Sequence, residues 1–332
     1  MKVSTSHPEL SQLLLRQTPG HSGLWGDCQF YVNEPVDQCD WWFICHESAL
    51  KDRQEARCDP AHLVYVSMEP NECAYQKFYN QFSKLVICSQ GFRHPSIIYR
   101  NGITWWAGIS VGFENGHHFS PEANYDYDSL NDLAPPLQKL DRISIITSNK
   151  DFLPGHRQRL AFIERLKKSE IADRIDVYGG GHNPIADKMD AILPYKYHIA
   201  LENTVLDHYW TEKIGDAFLG YAVPFYHGCK NISSYFPHDS LLELDIDSSQ
   251  AIPQIKAALD QDLHSQRLHA INAARKRVLN DYNLFALMAS IASTKATRLR
   301  PCQLHPPKAE AERTLVKKAL SKMKQTARKW LR

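Results

Sequence analysis

Two polar clusters, each next to a predicted apolar element, contain the side chains with the clearest chemistry. Glu202-Asn203-Thr204 follows the apolar run 197–201, and Thr211-Glu212-Lys213 begins a helical pattern in which Thr211 is the predicted N-cap. A helix start offers unpaired N–H groups and a positive dipole end, which suit a phosphate. Lys213 adds a full positive charge there, and Glu212 can accept hydrogen bonds from sugar hydroxyls. Together the clusters indicate a site of nucleotide-binding type.

The elements around these clusters predict an α/β unit. The run 197–201 is typical of a buried parallel strand, and 223–226 predicts the next strand. A strand at 143–147, a helix at about 155–168 and a strand at 175–178 precede them. The polar clusters would then lie at the carboxyl edge of the sheet, where open α/β sheets bind ligands.

Short apolar runs also occur in the first half of the chain, at 29–32, 41–45, 63–66 and 85–88. They predict a first α/β domain with a parallel sheet. The segment 112–138 is interpreted as an acceptor-side loop and linker, and 251–263 and 268–292 as helices that close the second domain. The predicted division is 1–140 for an acceptor-binding domain, 141–297 for a donor-binding domain, and 298–332 for a tail.

The segment 195–237 resembles the donor-binding motif of glycosyltransferase family 10, the α1,3/α1,4-fucosyltransferases. The family pattern runs Tyr-Lys-Phe, a buried strand, Glu-Asn-Ser, Tyr-x-Thr-Glu-Lys, a helix, Val-Pro and a glycine turn. The residues that match are Tyr195-Lys196-Tyr197, Glu202-Asn203-Thr204, Tyr209-Trp210-Thr211-Glu212-Lys213, Val223-Pro224 and Gly228. The resemblance implies a GT-B fold, with two Rossmann-like α/β domains facing a cleft, plus a C-terminal amphipathic helix.

The resemblance also implies roles for single residues. Arg159 keeps the spacing of a family arginine that follows a Ser-Asn strand end, and its planar guanidinium is expected to bind the diphosphate. Glu69 follows the strand 63–66 where the family has its proposed general base, although Met68 replaces the usual glycine. The residues expected to bind the donor are Arg159, Glu202, Asn203, Tyr209, Glu212 and Lys213.

The activity that the resemblance implies is inverting transfer of fucose from GDP-fucose to a hydroxyl of a glycan acceptor, in cell-surface polysaccharide or lipopolysaccharide synthesis. No cofactor or essential metal is expected. The triplets 126–128 and 245–247 have the Asp-x-Asp form that can hold a divalent cation, and we assign neither to metal. Two alternatives stay open: a transferase of the same fold that uses another nucleotide sugar, and a non-catalytic module that binds a glycan or nucleotide.

Composition sets independent bounds on the class of protein. A chain of 332 residues with 43% hydrophobic and 23% charged residues predicts a soluble globular protein of two-domain size. The sequence has no run of eighteen apolar residues, and its first twenty lack the pattern of a signal peptide. Eight cysteines without a C-x-x-C pair predict reduced structural thiols. We therefore expect a cytoplasmic protein.

The tail differs from the rest of the chain in charge. Residues 298–332 contain eleven Lys or Arg and two acidic residues, a balance of +9, so the first 297 residues carry 2 − 9 = −7. Helical spacing in 313–332 places Val316, Leu320, Met323, Ala327 and Trp330 in one stripe opposite the basic residues. This pattern favours a helix on the inner face of an anionic membrane over a helix docked on the protein or a nucleic-acid tail.

Overall fold

The structure is a computed structural model that describes residues 1–6, 11–70, 76–102, 104–112, 118–151 and 154–307. The predicted membrane-binding segment 313–332 lies outside these ranges. Within them, no helix combines the length and apolar character that a membrane span requires.

Strands in the described ranges fall into two large sheets and three two-stranded ribbons. Numbered in chain order, they are β1 (Lys2–Thr5), β2 (Leu24–Trp25), β3 (Cys28–Gln29), β4 (Tyr31–Val32), β5 (Trp42–Cys45), β6 (Gln54–Cys58), β7 (Leu63–Val66), β8 (Lys84–Ile87), β9 (Ile97–Tyr99), β10 (Ile109–Gly112), β11 (His118–Ala123), β12 (Leu140–Ile146), β13 (Ile175–Tyr178), β14 (Tyr195–Leu201), β15 (Val223–His227), β16 (Leu242–Glu243) and β17 (Arg300–Leu304).

The α-helices of the described ranges connect and cover these strands. They are α1 (Ser11–Leu15), α2 (Gln76–Tyr79), α3 (Tyr127–Asp132), α4 (Pro154–Lys167), α5 (Glu212–Leu219), α6 (Ala251–Asp260), α7 (Leu263–Lys276) and α8 (Leu284–Ile291). Helix α4 begins one residue before the predicted start, and α5 begins directly after its predicted N-cap, Thr211.

The first sheet has the order β4-β1-β5-β7-β8-β9, and all its strands are parallel. Every residue of β5 and β7 is buried, as their continuous apolar sequences predict for strands covered on both faces. The predicted strand 63–66 has the same bounds as β7 in the structure. Strand β1 at the N-terminus was not predicted, because four residues that include Lys2, Ser4 and Thr5 give a weak apolar signal.

The second sheet has the order β13-β12-β14-β15-β16 and is also parallel. Its central strand, β14, pairs with β12 on one side and with β15 on the other, so Tyr197 lies between Ile143 and Val223. The sequence predicted the strands at 143–147, 175–178, 197–201 and 223–226, and all four are present with bounds that differ by at most three residues. The polar groups that follow β14 therefore lie at the carboxyl edge of this sheet.

The chain returns to the first sheet after it completes the second. Leu284, Phe285 and Met288 of α8 belong to the same buried cluster as Val3 and Phe43 of the first sheet. Strand β17 then pairs antiparallel with β6. The prediction that one helix over 268–292 closes the second domain is therefore wrong: α7 ends at Lys276, a π-helical turn follows at Arg277–Asp281, and α8 starts anew at the N-cap Asn283. The domain boundaries at 140 and 297 stay predictions, because packing alone does not show which segments fold independently.

Candidate functional site

The start of helix α5 joins both polar clusters of the sequence. Thr211 has extended backbone, and its side-chain oxygen accepts from the main-chain N–H of Lys213, which confirms the predicted N-cap. Glu202, directly after β14, accepts from the Thr211 N–H at 2.8 Å and from its hydroxyl at 2.9 Å. The Glu202 side chain thus holds the loop between β14 and α5 against the first turn of the helix.

Lys213 lies between two carboxylates. Its Nζ is 3.1 Å from Glu202 Oε2 and 3.5 Å from Glu212 Oε1. Burial lowers the pKa of Lys213, but the two carboxylates outweigh burial and raise it above its ordinary value. The lysine is therefore a fixed positive charge at the helix start, and a quarter of its side chain stays exposed to a ligand.

Glu202 itself is fully buried. Burial raises the pKa of its carboxyl, and the nearby Lys213 opposes that shift. The oxygens of Glu202 already accept from Thr211 and Lys213, so this side chain positions those two residues. Its predicted role in donor binding would be exerted through Lys213.

Two further charged residues extend this cluster, and sequence reasoning missed both. Lys188 Nζ is 2.9 Å from Asp216 Oδ2 and 3.4 Å from Glu212 Oε1. Buried Asp216 also accepts from the main-chain N–H groups of Trp106 and Ala107, each at 3.0 Å. The order Glu202, Lys213, Glu212, Lys188, Asp216 therefore alternates in sign, and we call these five residues the charge chain.

The charge chain fixes the protonation of Glu212. Burial raises the pKa of this carboxyl, but Lys213 and Lys188 outweigh burial and lower the pKa to about 2. The sequence did contain a signal for the missing cation. Glu212 and Asp216 are four residues apart on one helix, where like charges repel unless a cation lies between them.

Arg159 and Asn203 meet at the edge between β12 and β14. Arg159 Nη1 donates to Asn203 Oδ1 at 2.6 Å, and Nη2 donates to the carbonyl of Ser148 at 3.1 Å. The arginine is buried, and its Nε has no hydrogen-bond partner among the described residues. The predicted pair of donor-binding residues is thus brought together, and the Nε–H of the guanidinium is left without an acceptor among the described residues.

A cavity of about 420 Å³ adjoins Asn203. Its lining includes Gly155 of α4 and Val205, which follows the Glu-Asn-Thr cluster. A Cβ atom added to Gly155 would lie 1.9 Å from the carbonyl oxygen of Asn203, so only glycine permits this close approach of helix and loop. The described residues that line the cavity are Pro154, Gly155, Gln158, Glu202, Asn203, Thr204, Val205, His227 and Ile246.

Glu69 and Tyr209 connect the two sheets. Glu69 lies three residues after β7, and its Oε2 is 3.4 Å from the hydroxyl of buried Tyr209. Glu69 is exposed to solvent, but the surrounding protein partly desolvates its carboxyl and raises the pKa. The nearby positive charge of Lys213 opposes this shift. The predicted base of the first half therefore contacts the predicted donor site of the second half.

In the described part of the chain, His, Cys, Asp and Glu side chains form no group of three that could hold a metal ion. Asp126, in one of the two Asp-x-Asp triplets, caps α3 and lies 2.8 Å from His21. The expectation that transfer needs no metal stays a prediction.

Two parallel α/β sheets, with charged and polar groups gathered where their carboxyl edges meet, define a GT-B glycosyltransferase fold. The same fold is present in the crystal structure of an α1,3-fucosyltransferase, which aligns at 16% identity with a TM-score of 0.50 over 90% of this chain and 91% of that one. Residues 136–266 match the model of the C-terminal domain of glycosyltransferase family 10 (fucosyltransferase). The second sheet and the charge chain therefore lie in a region that is similar to the C-terminal domain of this family.

Known fucosyltransferases are similar to part of the chain. A fucosyltransferase-like protein of Arabidopsis thaliana is 31% identical over 36% of this chain and 23% of its own length. A 4-galactosyl-N-acetylglucosaminide 3-α-L-fucosyltransferase of Pongo pygmaeus is 33% identical over 27% of this chain and 26% of its own length. The chain thus spans about a quarter of the length of these relatives.

Proposed function

We propose that this protein is an inverting fucosyltransferase that moves fucose from GDP-fucose to a hydroxyl of a glycan acceptor. The observation that carries the proposal is the meeting of a carboxylate from the first half, Glu69, with the cation-bearing helix start of the second half, through the Glu69–Tyr209 contact of 3.4 Å. The family of residues 136–266 and the names of the relatives support fucose as the sugar.

In the proposed reaction, Glu69 takes the proton of the acceptor hydroxyl. The acceptor oxygen forms a bond to C1 of fucose while the bond from C1 to the diphosphate oxygen breaks, and the electron pair leaves with GDP. Because the oxygen attacks opposite to the leaving group, a β-linked fucose becomes an α-fucoside. A carboxyl with a raised pKa is the better general base near neutral pH.

The second requirement of the reaction is that the negative charge on the leaving diphosphate is stabilised. We assign its stabilisation to Lys213 and to Arg159, whose Nε has no other partner among the described residues. Asn203 would orient the guanidinium through the 2.6 Å hydrogen bond, and Glu202 would hold Lys213 in place. Glu212 and Tyr209 are proposed to contact the donor sugar and to separate it from Glu69.

The acceptor and the location are proposed from the charge of the C-terminal segment. A basic amphipathic segment at 313–332 would place the protein at the inner face of a membrane, where lipid-linked or lipopolysaccharide glycans are built. The acceptor would then enter from the edge of the first sheet beside Glu69. We propose no contact with nucleic acid.

Donor binding and transfer test this function together. The full chain is titrated with GDP-fucose, GDP-mannose and UDP-galactose in a thermal-shift assay, and the configuration of any fucosylated product is read by NMR. We expect GDP-fucose to raise the melting temperature and the product to be an α-fucoside. Stabilisation by another nucleotide sugar without any by GDP-fucose would identify the alternative transferase. Donor binding with no transfer to a broad acceptor panel would favour a non-catalytic module.

A further inference from the structure

We propose that Tyr99 and His208 form a binding surface for one pyranose ring of the acceptor glycan. This proposal rests on the transferase function above and adds to it the place where the acceptor lies. The two residues come from different halves of the chain, and their rings are nearly parallel, with centroids 6.1 Å apart and an interplanar angle of 26°.

Position is the first argument. Tyr99 is the last residue of β9 and lies opposite Ile87 of β8, whose other neighbour is β7, the strand that leads to Glu69. Adjacent strands are about 4.8 Å apart, so β9 lies roughly 10 Å from β7 at the same edge of the sheet. His208 directly precedes Tyr209, whose hydroxyl contacts Glu69. The ring pair is therefore next to the proposed base, within the span of a disaccharide.

Exposure is the second argument. Tyr99 is 44% exposed, whereas Tyr209 and Tyr235 are 3% and 8% exposed. A single exposed tyrosine is ordinary on a protein surface, but this ring is the outermost of a packed aromatic cluster at the junction of the two halves. The cluster consists of Tyr99, His208, Tyr235, Trp210, Phe236 and Tyr282.

Rigidity is the third argument. The His208 N–H donates to Asn231 Oδ1 at 2.8 Å, its Nδ1 lies 2.8 Å from the Tyr235 hydroxyl, and its backbone adopts a positive φ of 62°. On the other side, Arg100 donates to the carbonyl of Asp281 at 2.8 Å and fixes the end of β9. Both rings are therefore held in place before a ligand arrives, which lowers the entropic cost of binding.

The chemistry of the surface fits a sugar. A pyranose has a face of C–H groups and a rim of hydroxyls, and the electron-rich face of an aromatic ring attracts such polarised C–H groups. His208 Nε2 has no hydrogen-bond partner among the described residues, so it can bind a hydroxyl at the rim. A ring stacked on Tyr99 would bring its own or its neighbour's hydroxyl toward Glu69.

The test compares Tyr99→Ala with Tyr99→Phe and with Tyr31→Ala. Tyr31 is a matched control, because it is 42% exposed and lies in β4 at the opposite edge of the same sheet. The probe acceptor is the disaccharide galactosyl-(1→4)-N-acetylglucosamine, the unit in the name of one relative. The readouts are acceptor KM and kcat, binding of the disaccharide to the GDP-loaded protein, and the Kd of GDP-fucose.

We expect Tyr99→Ala to raise the acceptor KM roughly ten-fold or more, as loss of a stacking ring does elsewhere, and Tyr99→Phe and Tyr31→Ala to change it by less than about two-fold. The Kd of GDP-fucose should stay within about two-fold in all variants. The proposal is overturned if Tyr99→Ala behaves like Tyr31→Ala, if it weakens donor binding as much as acceptor binding, or if the wild type binds GDP-fucose but not the disaccharide. Absence of GDP-fucose binding by the wild type would instead refute the proposed function itself.

Discussion

At the residue scale, the site depends on charges that fix one another. Lys213 stays positive because Glu202 and Glu212 surround it, and Glu212 stays negative because Lys213 and Lys188 do. Each member of the charge chain therefore has an effect on its neighbour. Glu69 is not a member of these ion pairs, and its Oε2 lies 3.4 Å from the Tyr209 hydroxyl.

The role of Glu69 as the base predicts a large loss of transfer in Glu69→Gln. This change keeps the shape of the side chain but removes the proton acceptor, so kcat should fall by about 10²- to 10⁴-fold. The Kd of GDP should change by less than about two-fold, since diphosphate contacts are assigned to other residues. Steady-state kinetics and calorimetry measure the two effects, with Glu55→Gln, at an exposed position of β6, as the control. Wild-type turnover in Glu69→Gln would remove this residue from the reaction.

The raised pKa of Glu69 predicts the pH dependence of transfer. The base works deprotonated, so activity should fall as pH drops through a value above the ordinary 4.5 of a glutamate. The positive charge of Lys213 lowers the pKa of Glu69, and a bound diphosphate would neutralise that charge. The pKa of Glu69 should therefore be higher in the substrate complex than in the free enzyme. As a result, the acid limb of kcat should lie at higher pH than the acid limb of kcat/KM. Both profiles are measured with donor and acceptor varied in turn. An acid limb at or below 4.5 would contradict the assignment.

Lys188 is predicted to act on the diphosphate through Lys213. In Lys188→Met, Glu212 and Asp216 lose their shared cation and Lys213 is drawn toward Glu212, so GDP affinity should fall about ten-fold. The double variant Lys188→Met/Lys213→Met should bind GDP about as weakly as Lys213→Met alone, because Lys188 affects GDP binding only through Lys213. The GDP Kd of the wild type, the two single variants and the double variant is measured by isothermal calorimetry, which completes the double-mutant cycle.

The control for this cycle is Lys196→Met. Lys196 is similarly shielded, with its side chain 20% exposed against 27% for Lys188, and it pairs with Asp262 and Asp141 at the other end of β14. Its loss should cost some stability and leave the GDP Kd unchanged. Additive effects of Lys188→Met and Lys213→Met, or a loss of affinity no larger than in the control, would show that Lys188 has a structural role alone.

At the element scale, the site depends on how closely helix α4 approaches the loop after β14. The helix carries Arg159, and the loop carries Asn203, the partner of that arginine. Gly155 sits at the point of contact, where any side chain would meet the Asn203 carbonyl. The local sequence determines that α4 forms, but the glycine sets the distance between helix and loop.

Gly155→Ala should therefore separate the two elements. The added Cβ would lie 1.9 Å from Asn203 O, so helix or loop must move by about an ångström, and a displacement of that size can lower affinity or rate about 10²-fold. Stability should fall by about 1–3 kcal/mol from overpacking. GDP titration and urea denaturation measure these changes. The matched control is Gly180→Ala, where an added Cβ meets no atom within 4 Å. Equal GDP binding by both variants would show that the close approach does not matter to the site.

At the scale of the whole molecule, several contacts join the two halves of the chain, and two of them bury polar or apolar groups deeply. Asp216 in α5 accepts main-chain hydrogen bonds from residues 106 and 107, and α8 packs on the first sheet after the second is complete. The buried Phe285 ring lies 5.4 Å from Phe30 in an edge-to-face contact. Because these ties cross between the sheets, we expect the halves to unfold together.

Phe285→Ala tests this coupling. The loss of a buried phenylalanine should destabilise the protein by about 3–5 kcal/mol. If the halves are coupled, urea denaturation of the variant should show one transition, and GDP, whose proposed site lies in the second half, should shift that whole transition to higher urea. Leu24→Ala, at a position that is 44% exposed, is the control. A separate unfolding transition at lower urea, with a midpoint that GDP does not shift, would mean that the halves unfold separately.

By itself, the sequence determined the central strands of the second sheet and helix α5, and it predicted the donor-binding residues. Strands 63–66 and 175–178, helix α5 and its N-cap follow from apolar periodicity and capping, which are local properties. Glu202, Glu212 and Lys213 lie within twelve residues, 202–213, so their spacing alone places them near one another.

Only the tertiary structure decided which distant residues complete the site. The contacts Glu69–Tyr209, Lys188–Asp216 and Tyr99–His208 join residues whose separation in sequence is set by no local pattern. The same holds for α8, whose apolar surface fits either half and packs on the first sheet. Such contacts depend on how two finished sheets pack against each other. Periodicity predicts that a face is buried, whereas the partner of that face is chosen by the packing of the whole chain.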